Sequence, residues 1–535
     1  MLPFPFLFSE RDMCAWYVLY NIEEEKRRRE ERFIMIETIS NVNGVINGIV
    51  WGWPALVLLA FVGVLMTCIT KFFQLTHFKH WIRNTIGAIF GEKHVTQHTG
   101  SGDRSISQFQ SLCTALAATV GTGNIVGVAG AIAVGGPGAV FWMWLIAFFG
   151  MMTNYSENVL GILYRRKNSE GEWCGGAMYY LRDGLGSKPG CKGIGTVLAI
   201  LFSCFCLLAS FGIGNMSQVN SMVSNVYTAF GIPKLATGIF LFLAVSLVII
   251  GGLKRIAAFT EKIVPFMVIA YLAGTLIIIM LHASAIPAVF VSIFQGAFAL
   301  KSAAGGVVGS GIALAMQMGM KRGVFSNEAG LGSSVMVHSN SNVKEPVRQG
   351  MWGIFEVFAD TIIVCSLTAL TILSSGVVDL STGQLTAEAI EVGSSSLMSY
   401  AFSQTFGIVG SAFIALAILL FAYSTVLGWS HYGSKACEYL FGTKSILVYR
   451  VVFVIIVLAG SVIEAQLAWD ISDTFNGLMM IPNLIGVLVL SPVVMKCTKN
   501  YVDRKFHGSF EKPMLSMFPD IQREQENALA SDGDD

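Results

Sequence analysis

The chain has 535 residues, 54% of them hydrophobic and 13% charged, with a formal net charge of +1. A soluble protein of this size carries about a quarter charged residues, so the composition excludes a soluble globular protein and places the chain in a bilayer. The near-neutral balance gives no bulk attraction to nucleic acid. The ten cysteines and eight histidines form no metal-ligand spacing, and there is no phosphate loop or nucleophile elbow.

Residues 1–34 hold "EEEKRRREERF" and six Lys/Arg. Two readings stand. Either this basic segment is tolerated outside the membrane, or translation begins at Met35 and the upstream part is a start-site artefact; the second is expected. Eleven apolar segments of about 20 residues or more follow, the length a bilayer-crossing helix needs. They lie near 45–70, 107–134, 138–164, 194–214, 235–253, 258–281, 308–338, 349–374, 398–434, 447–468 and 472–495. Between and after them, 25 Lys/Arg fall in alternate loops and the tail, against two (Lys234 and Lys301) in the others. Cytoplasmic loops are the basic ones. The N-terminus is therefore expected outside and the C-terminus inside. The last 25 residues, ending "ALASDGDD", read as a disordered acidic tail. No loop is long enough for a separate catalytic domain.

The second span carries "AATVGTGNIVG" at its centre. Gly inside a helix costs about 1 kcal/mol against Ala, so Gly121 and Gly123 point to an unwound patch. In hydrocarbon such a patch survives only against protein or a water-filled cavity. Its freed amides suit a carboxylate and its freed carbonyls a desolvated cation. The other reading is a glycine-rich packing face. The seventh span contains a second interruption, "GVFSNEAGLGSS". Paired interruptions at matching places in two halves point to a transporter site. The second break is placed at 326–332 rather than at "GGVVGSG", 305–311, which would move Glu328 to the cytoplasmic mouth as a gate.

Further polar groups lie within spans. Ser424 and Thr425 are adjacent hydroxyls that suit Na⁺ or, alternatively, back-bond to their own helix. Trp429, one turn on, caps a pocket or packs. Gln218, read as near the outer end of the fourth span, reaches substrate or caps the interface. Glu157, Glu328 and Asp360 are gating or proton-linked candidates, with structural hydrogen bonding between helices as the plain alternative.

The stretches "ALAATVGTGNIVGVAGAIAVGGPGAVFWMW", "GGAMYYLRDGLG" and "RGVFSNEAGLGSS" together resemble the alanine or glycine:cation symporter family, the sodium:alanine symporters. The resemblance runs from about Met35 to about residue 495. It implies an all-α membrane protein with a fold similar to the bacterial leucine transporter. One extra helix (35–105 with its loop) would precede ten helices in two inverted five-helix repeats, 106–285 and 286–495, with a cytoplasmic tail from 496 to 535. It implies Na⁺-coupled uptake of alanine or glycine across the cell membrane, no cofactor and no obligate protein partner. Registered on the leucine-transporter break, Ala117 and Val120 would give carbonyls to Na⁺ beside Ser424 and Thr425. Thr122, Gly123 and Asn124 would meet the substrate carboxylate, with Gln218, Phe325, Asn327, Gly330 and Trp429 completing the pocket. Where the family loop reads "GGPMYY" this chain has Ala177. A proton-coupled carrier of another small solute is the alternative. An intramembrane enzyme is disfavoured, because Ser424 and His431 lie two turns apart on one helix.

Overall fold

The computed structural model describes residues 37–100, 104–298, 310–462 and 465–531, together with residues 24, 27, 28, 31 and 35. Most of segment 1–34, and residues 305–309 of the alternative break, therefore lie outside the described residues.

The fold is an all-helical bundle. In chain order its main helices are α1 Glu37–Ile69, α2 Gln108–Thr119, α3 Gly123–Gly135, α4 Gly138–Leu163, α5 Lys192–Phe230, α6 Lys234–Ile249 and α7 Gly252–Leu281. They continue as α8 Ser310–Asn327, α9 Pro346–Ser374, α10 Ile408–Phe441, α11 Ser445–Gly460, α12 Ala465–Val489 and α13 Ser491–Phe506. Six helices (α1, α4, α5, α7, α9, α10) are long and apolar enough to cross a membrane, or eight spans if each of the bent pairs α2–α3 and α12–α13 is one. Shorter apolar helices are α6, α11 and residues 283–298. The last of these was not among the segments expected from sequence.

Local chemistry sets the boundaries. Ser107 and Gln110 form a reciprocal cap that starts α2, the S-x-x-Q box that satisfies orphan amides. Gly138 lets α4 press on the neighbouring helix Ile286–Phe298, since a Cβ there would sit 2.2 Å from the Gly296 carbonyl carbon. In the interior, α4 packs on α8 and α9, α5 packs on α10 and α12, and α2 lies between α7 and α10.

Three expectations need correction. The fourth span does not end near 214. A π-helical turn at Gly212–Met216 carries it straight on to Phe230, because one wide turn absorbs the Gly-Ile-Gly sequence without breaking the helix. Gln218 is thus buried rather than terminal. The ninth span begins at Ile408, after a separate helix Leu397–Phe406 that Gly407, at φ +58°, terminates. The C-terminal tail, read as disordered, is ordered as far as residue 531. Residues Pro519–Ser531 form a helix. Gln522 accepts the amides of Leu515 and Ser516 at 2.9 and 2.8 Å, and the Met517 amide reaches Leu163 O at 2.9 Å. Lys167 pairs with Glu524 at 2.6 Å.

Candidate functional site

The first break follows from Val120-Gly-Thr-Gly. The Val120 amide still bonds Leu116 O. The next two amides, which a continuing helix would give to Ala117 and Ala118, go elsewhere. Gly121 N–H donates to Asn124 Oδ1 at 2.9 Å and Thr122 N–H to Gln218 Oε1 at 3.3 Å. The Thr122 hydroxyl also donates to Gln218 Oε1 at 2.9 Å. Gln218 is held in turn by Ile213 O, 3.0 Å from its Nε2, a carbonyl of the π turn. Helices α2 and α3 meet at 49°. Thr425 lies directly against the break, since a Cβ on Gly121 would come within 2.3 Å of its Oγ1. Ser424 and Thr425 both donate to Phe421 O, at 2.8 and 3.0 Å. This is the back-bonded arrangement, and it leaves each hydroxyl oxygen as an acceptor.

The second break is longer. Helix α8 ends at Asn327, and a short helix resumes only at Val335–His338. Between them Glu328, Gly330 and Gly332 have φ of +57°, +92° and +73°. A left-handed glutamate is uncommon. Two bonds hold this one: Trp429 Nε1–H donates to Oε1 at 2.8 Å and Ser333 Oγ–H to Oε2. Trp429 itself fits because Gly214 has no Cβ, which would lie 2.3 Å from the tryptophan Cβ.

One carboxylate joins the two breaks. Asp360 sits in a π-helical stretch of α9, Phe358–Cys365, and is fully buried. It accepts from Asn124 Nδ2 (2.6 Å) of the first break and from Ser326 Oγ (2.8 Å) beside the second, and also from Thr361 Oγ1 (2.8 Å). Asn327 donates to Thr361 Oγ1 at 3.0 Å and accepts the Ala329 amide at 3.0 Å. Phe325 closes on Gly123, 3.4 Å from the position of its missing Cβ, and tilts against Trp469 at 5.3 Å between ring centres. Thus Thr122, Gly123, Asn124, Gln218, Phe325, Asn327, Asp360 and Thr425 come together around the first break, and Trp429 with Glu328 against the second. Ala117 and Val120 are buried in the last turn before the first break.

Glu157 stands apart from Asp360. Its Oε1 accepts from Asn483 Nδ2, which also donates to Gly330 O at 2.9 Å, while Tyr180 OH donates to Asn483 Oδ1. Sequence reasoning passed over Asn483, although Pro482 before it, inside a helix, was a usable signal. It also missed the buried pair His338–Glu356, 2.9 Å apart, to which Asn154 Nδ2 donates at 3.3 Å. Ser111 of α2 lies 3.4 Å from the same imidazole.

The sodium:alanine symporter family profile matches residues 36–515. The chain belongs to that family. It is a multi-pass membrane protein of a sodium-coupled amino-acid symporter family, a family of transporters rather than enzymes. The sodium/alanine symporter AgcS of Methanococcus maripaludis is 42% identical over 87% of this chain and 98% of its own. An uncharacterized transporter of Haemophilus influenzae is 39% identical over 87% and 97%. The probable sodium/glutamine symporter GlnT of Bacillus subtilis is 35% identical over 89% and 93%. Relatives at this distance therefore differ in named substrate. Among solved structures, MhsT in complex with L-phenylalanine aligns with 74% of this chain and 99% of its own at 11% identity and a TM-score of 0.49.

Proposed function

We propose that this protein imports alanine or glycine together with Na⁺ by alternating access. The observation that carries the reading is Asp360, a buried carboxylate hydrogen-bonded to both broken segments at once. Binding at one break is then felt at the other, and ion and solute favour each other's bound state. On this reading the spans number eleven: the eight named above, α6, α11, and α8 with its break. The extra helix occupies 35–105, the inverted repeats 106–285 and 286–495, and the tail 496–535 faces the cytoplasm. Na⁺ takes the carbonyls of Ala117 and Val120 with the hydroxyl oxygens of Ser424 and Thr425. The substrate carboxylate meets the Thr122–Asn124 backbone. Gln218, Phe325, Asn327, Gly330 and Trp429 enclose a small side chain. The AgcS relative, named for sodium and alanine, supports that choice of ion and solute.

Proton coupling is the second reading. One observation favours it: Glu157 Oε2 and Glu356 Oε1 are buried acceptors without hydrogen-bond partners among the described residues, and a carboxyl in that state is relieved by a proton. Radiolabelled alanine uptake into proteoliposomes separates the two. Uphill uptake that needs an inward Na⁺ gradient, and is lost in Thr425→Ala, supports the first. Uptake driven by a proton gradient with choline replacing Na⁺ overturns it in favour of the second. No uphill uptake of alanine or glycine removes both substrates.

A further inference from the structure

A cavity of about 520 Å³ lies beyond the second break, with Asn340 and His431 in its wall. It opens where α6 turns into α7 and α10 turns into α11, on the face that carries the basic loops. The start of α7 (Gly251, Gly252, Leu253) and that of α11 (Ile446, Leu447, with Thr443 just before it) both line it. Neither helix has a side-chain cap. Two uncapped N-termini aimed into one space make it attractive to an anion. Cationic side chains add to this: Arg104, Lys254, Lys435 and Arg450 line the cavity against Glu170 and Glu172.

The acids are already engaged. Arg104 pairs with Glu170 at 2.7 Å and with Glu172 at 3.4 Å, and Lys435 reaches Glu172 at 3.5 Å and Glu438 at 2.9 Å. Arg450 has no hydrogen-bonded or ion-paired partner among the described residues. Its guanidinium lies 3.3 Å from where a Gly252 Cβ would stand, so the glycine keeps the approach to the α7 N-terminus open. Deeper in, His431 is 4% exposed and its Nε2 has no hydrogen-bond partner among the described residues. The rim is of the opposite character. Ile250 and Leu447 are 69% and 67% exposed and sit at the ends of apolar helices. A positive pocket between span ends with an apolar lip fits a phospholipid headgroup with its tails outside.

We propose that this cavity binds the phosphate-bearing headgroup of an anionic phospholipid, clamped by Arg450, Lys254 and the α7 and α11 N-termini. The lipid would tie together the α6–α7 and α10–α11 turns. The second of these turns ends the helix that carries Ser424, Thr425 and Trp429.

The test is native mass spectrometry of the full chain in detergent, titrated with phosphatidylglycerol or phosphatidylcholine. The expected result is a retained phosphatidylglycerol adduct, weakened about fivefold or more by each of Arg450→Gln and Lys254→Gln. Lys234→Gln, at the far end of α6, leaves it unchanged. Lys254 is exposed, so its variant keeps the test valid if the Arg450 variant fails to fold. Equal retention of the two lipids, or an adduct indifferent to Lys254→Gln, overturns the proposal. Displacement by inorganic phosphate at concentrations matching the lipid would assign a free-phosphate site instead. Displacement by alanine would make the cavity a substrate vestibule. Both outcomes reject the lipid. None of these readouts depends on transport, so failure here leaves the symport reading intact.

Discussion

The two interrupted segments solve the same problem with different chemistry. At the first, two diverted amides are met by neutral side chains, Asn124 and Gln218, and three residues separate helix from helix. At the second, seven residues separate helix from helix. Three conformations there are left-handed, and the contacting groups include Glu157 (through Asn483), Glu328 and, beyond Ser334 and Asn154, Glu356. A short break stitched by amides leaves carbonyls free beside one carboxylate, Asp360. A long one ringed by carboxyls fixes backbone shape but must manage buried acid. On the reading proposed above, the first would hold the ion and the zwitterion, and the second would frame it.

The strongest way to break this comparison is to remove the residue common to both. Asp360→Ala deletes two bonds to the breaks, each roughly 1.5 kcal/mol or more for a charged acceptor. Uptake per molecule of inserted protein is expected to fall at least about 100-fold. Near-normal uptake would mean that the breaks work independently. Glycine substitutions sharpen the contrast. Gly332→Ala puts a Cβ 2.7 Å from the Asn483 side chain at φ +73°, and left-handed backbone costs an L-residue about 1–2 kcal/mol. It should lower the thermal midpoint in detergent. Gly121→Ala instead pushes on Thr425 Oγ1 at 2.3 Å. It should raise the Na⁺ concentration for half-maximal uptake by about tenfold, the scale of a 1–3 kcal/mol overpacking strain, with a smaller loss of stability. If both variants failed in the same way, the two breaks would not differ in role.

Trp429→Phe removes the indole bond to Glu328 while keeping the ring, and a fall in uptake of about tenfold is expected from one charge-assisted hydrogen bond. The smallest effect is expected outside the membrane. Burial pushes His80 down to about 4 from 6.5, beside Tyr501 OH at 3.0 Å. The neutral ring therefore contributes stability above pH 6.5 that is lost as pH falls toward 4. The thermal midpoint should drop over that window, and His80→Gln should flatten the drop. An unchanged profile would remove His80 from the account.

Much of this was readable in the chain. Apolar run length located the helices, and glycine beside Thr, Asn and Ser located both breaks, because those residues weaken a helix by local effects alone. The second gap lies at 328–334, two residues beyond the 326–332 read from sequence, because Ser326 and Asn327 still belong to α8. What could not be read was reach. Gln218 seemed terminal because Gly212 and Gly214 look like a stop, and a single π turn carries the helix through them. Asp360 and Glu157 were marked as buried acids, but only packing decides that one bridges the breaks and the other faces Asn483. His338 and Glu356 lie eighteen residues apart and carry no local signature of a pair. The tail looked acidic and unstructured because Gln522 stabilises it through turn amides that composition does not register.

That tail has a practical consequence. Helix Pro519–Ser531 is fastened at Lys167 and, through the carbonyl of Ala528, at Lys344, 2.6 Å away. Those two anchors follow α4 and the second break. A spin label or fluorophore near residue 528, paired with one on α1, would ride on whichever of those elements shifts during a transport cycle. The chain thus supplies its own built-in pointer for watching the cycle in real time. Equally, a purification tag added after Asp535 would hang close to this anchored helix, so a cleavable linker belongs between them.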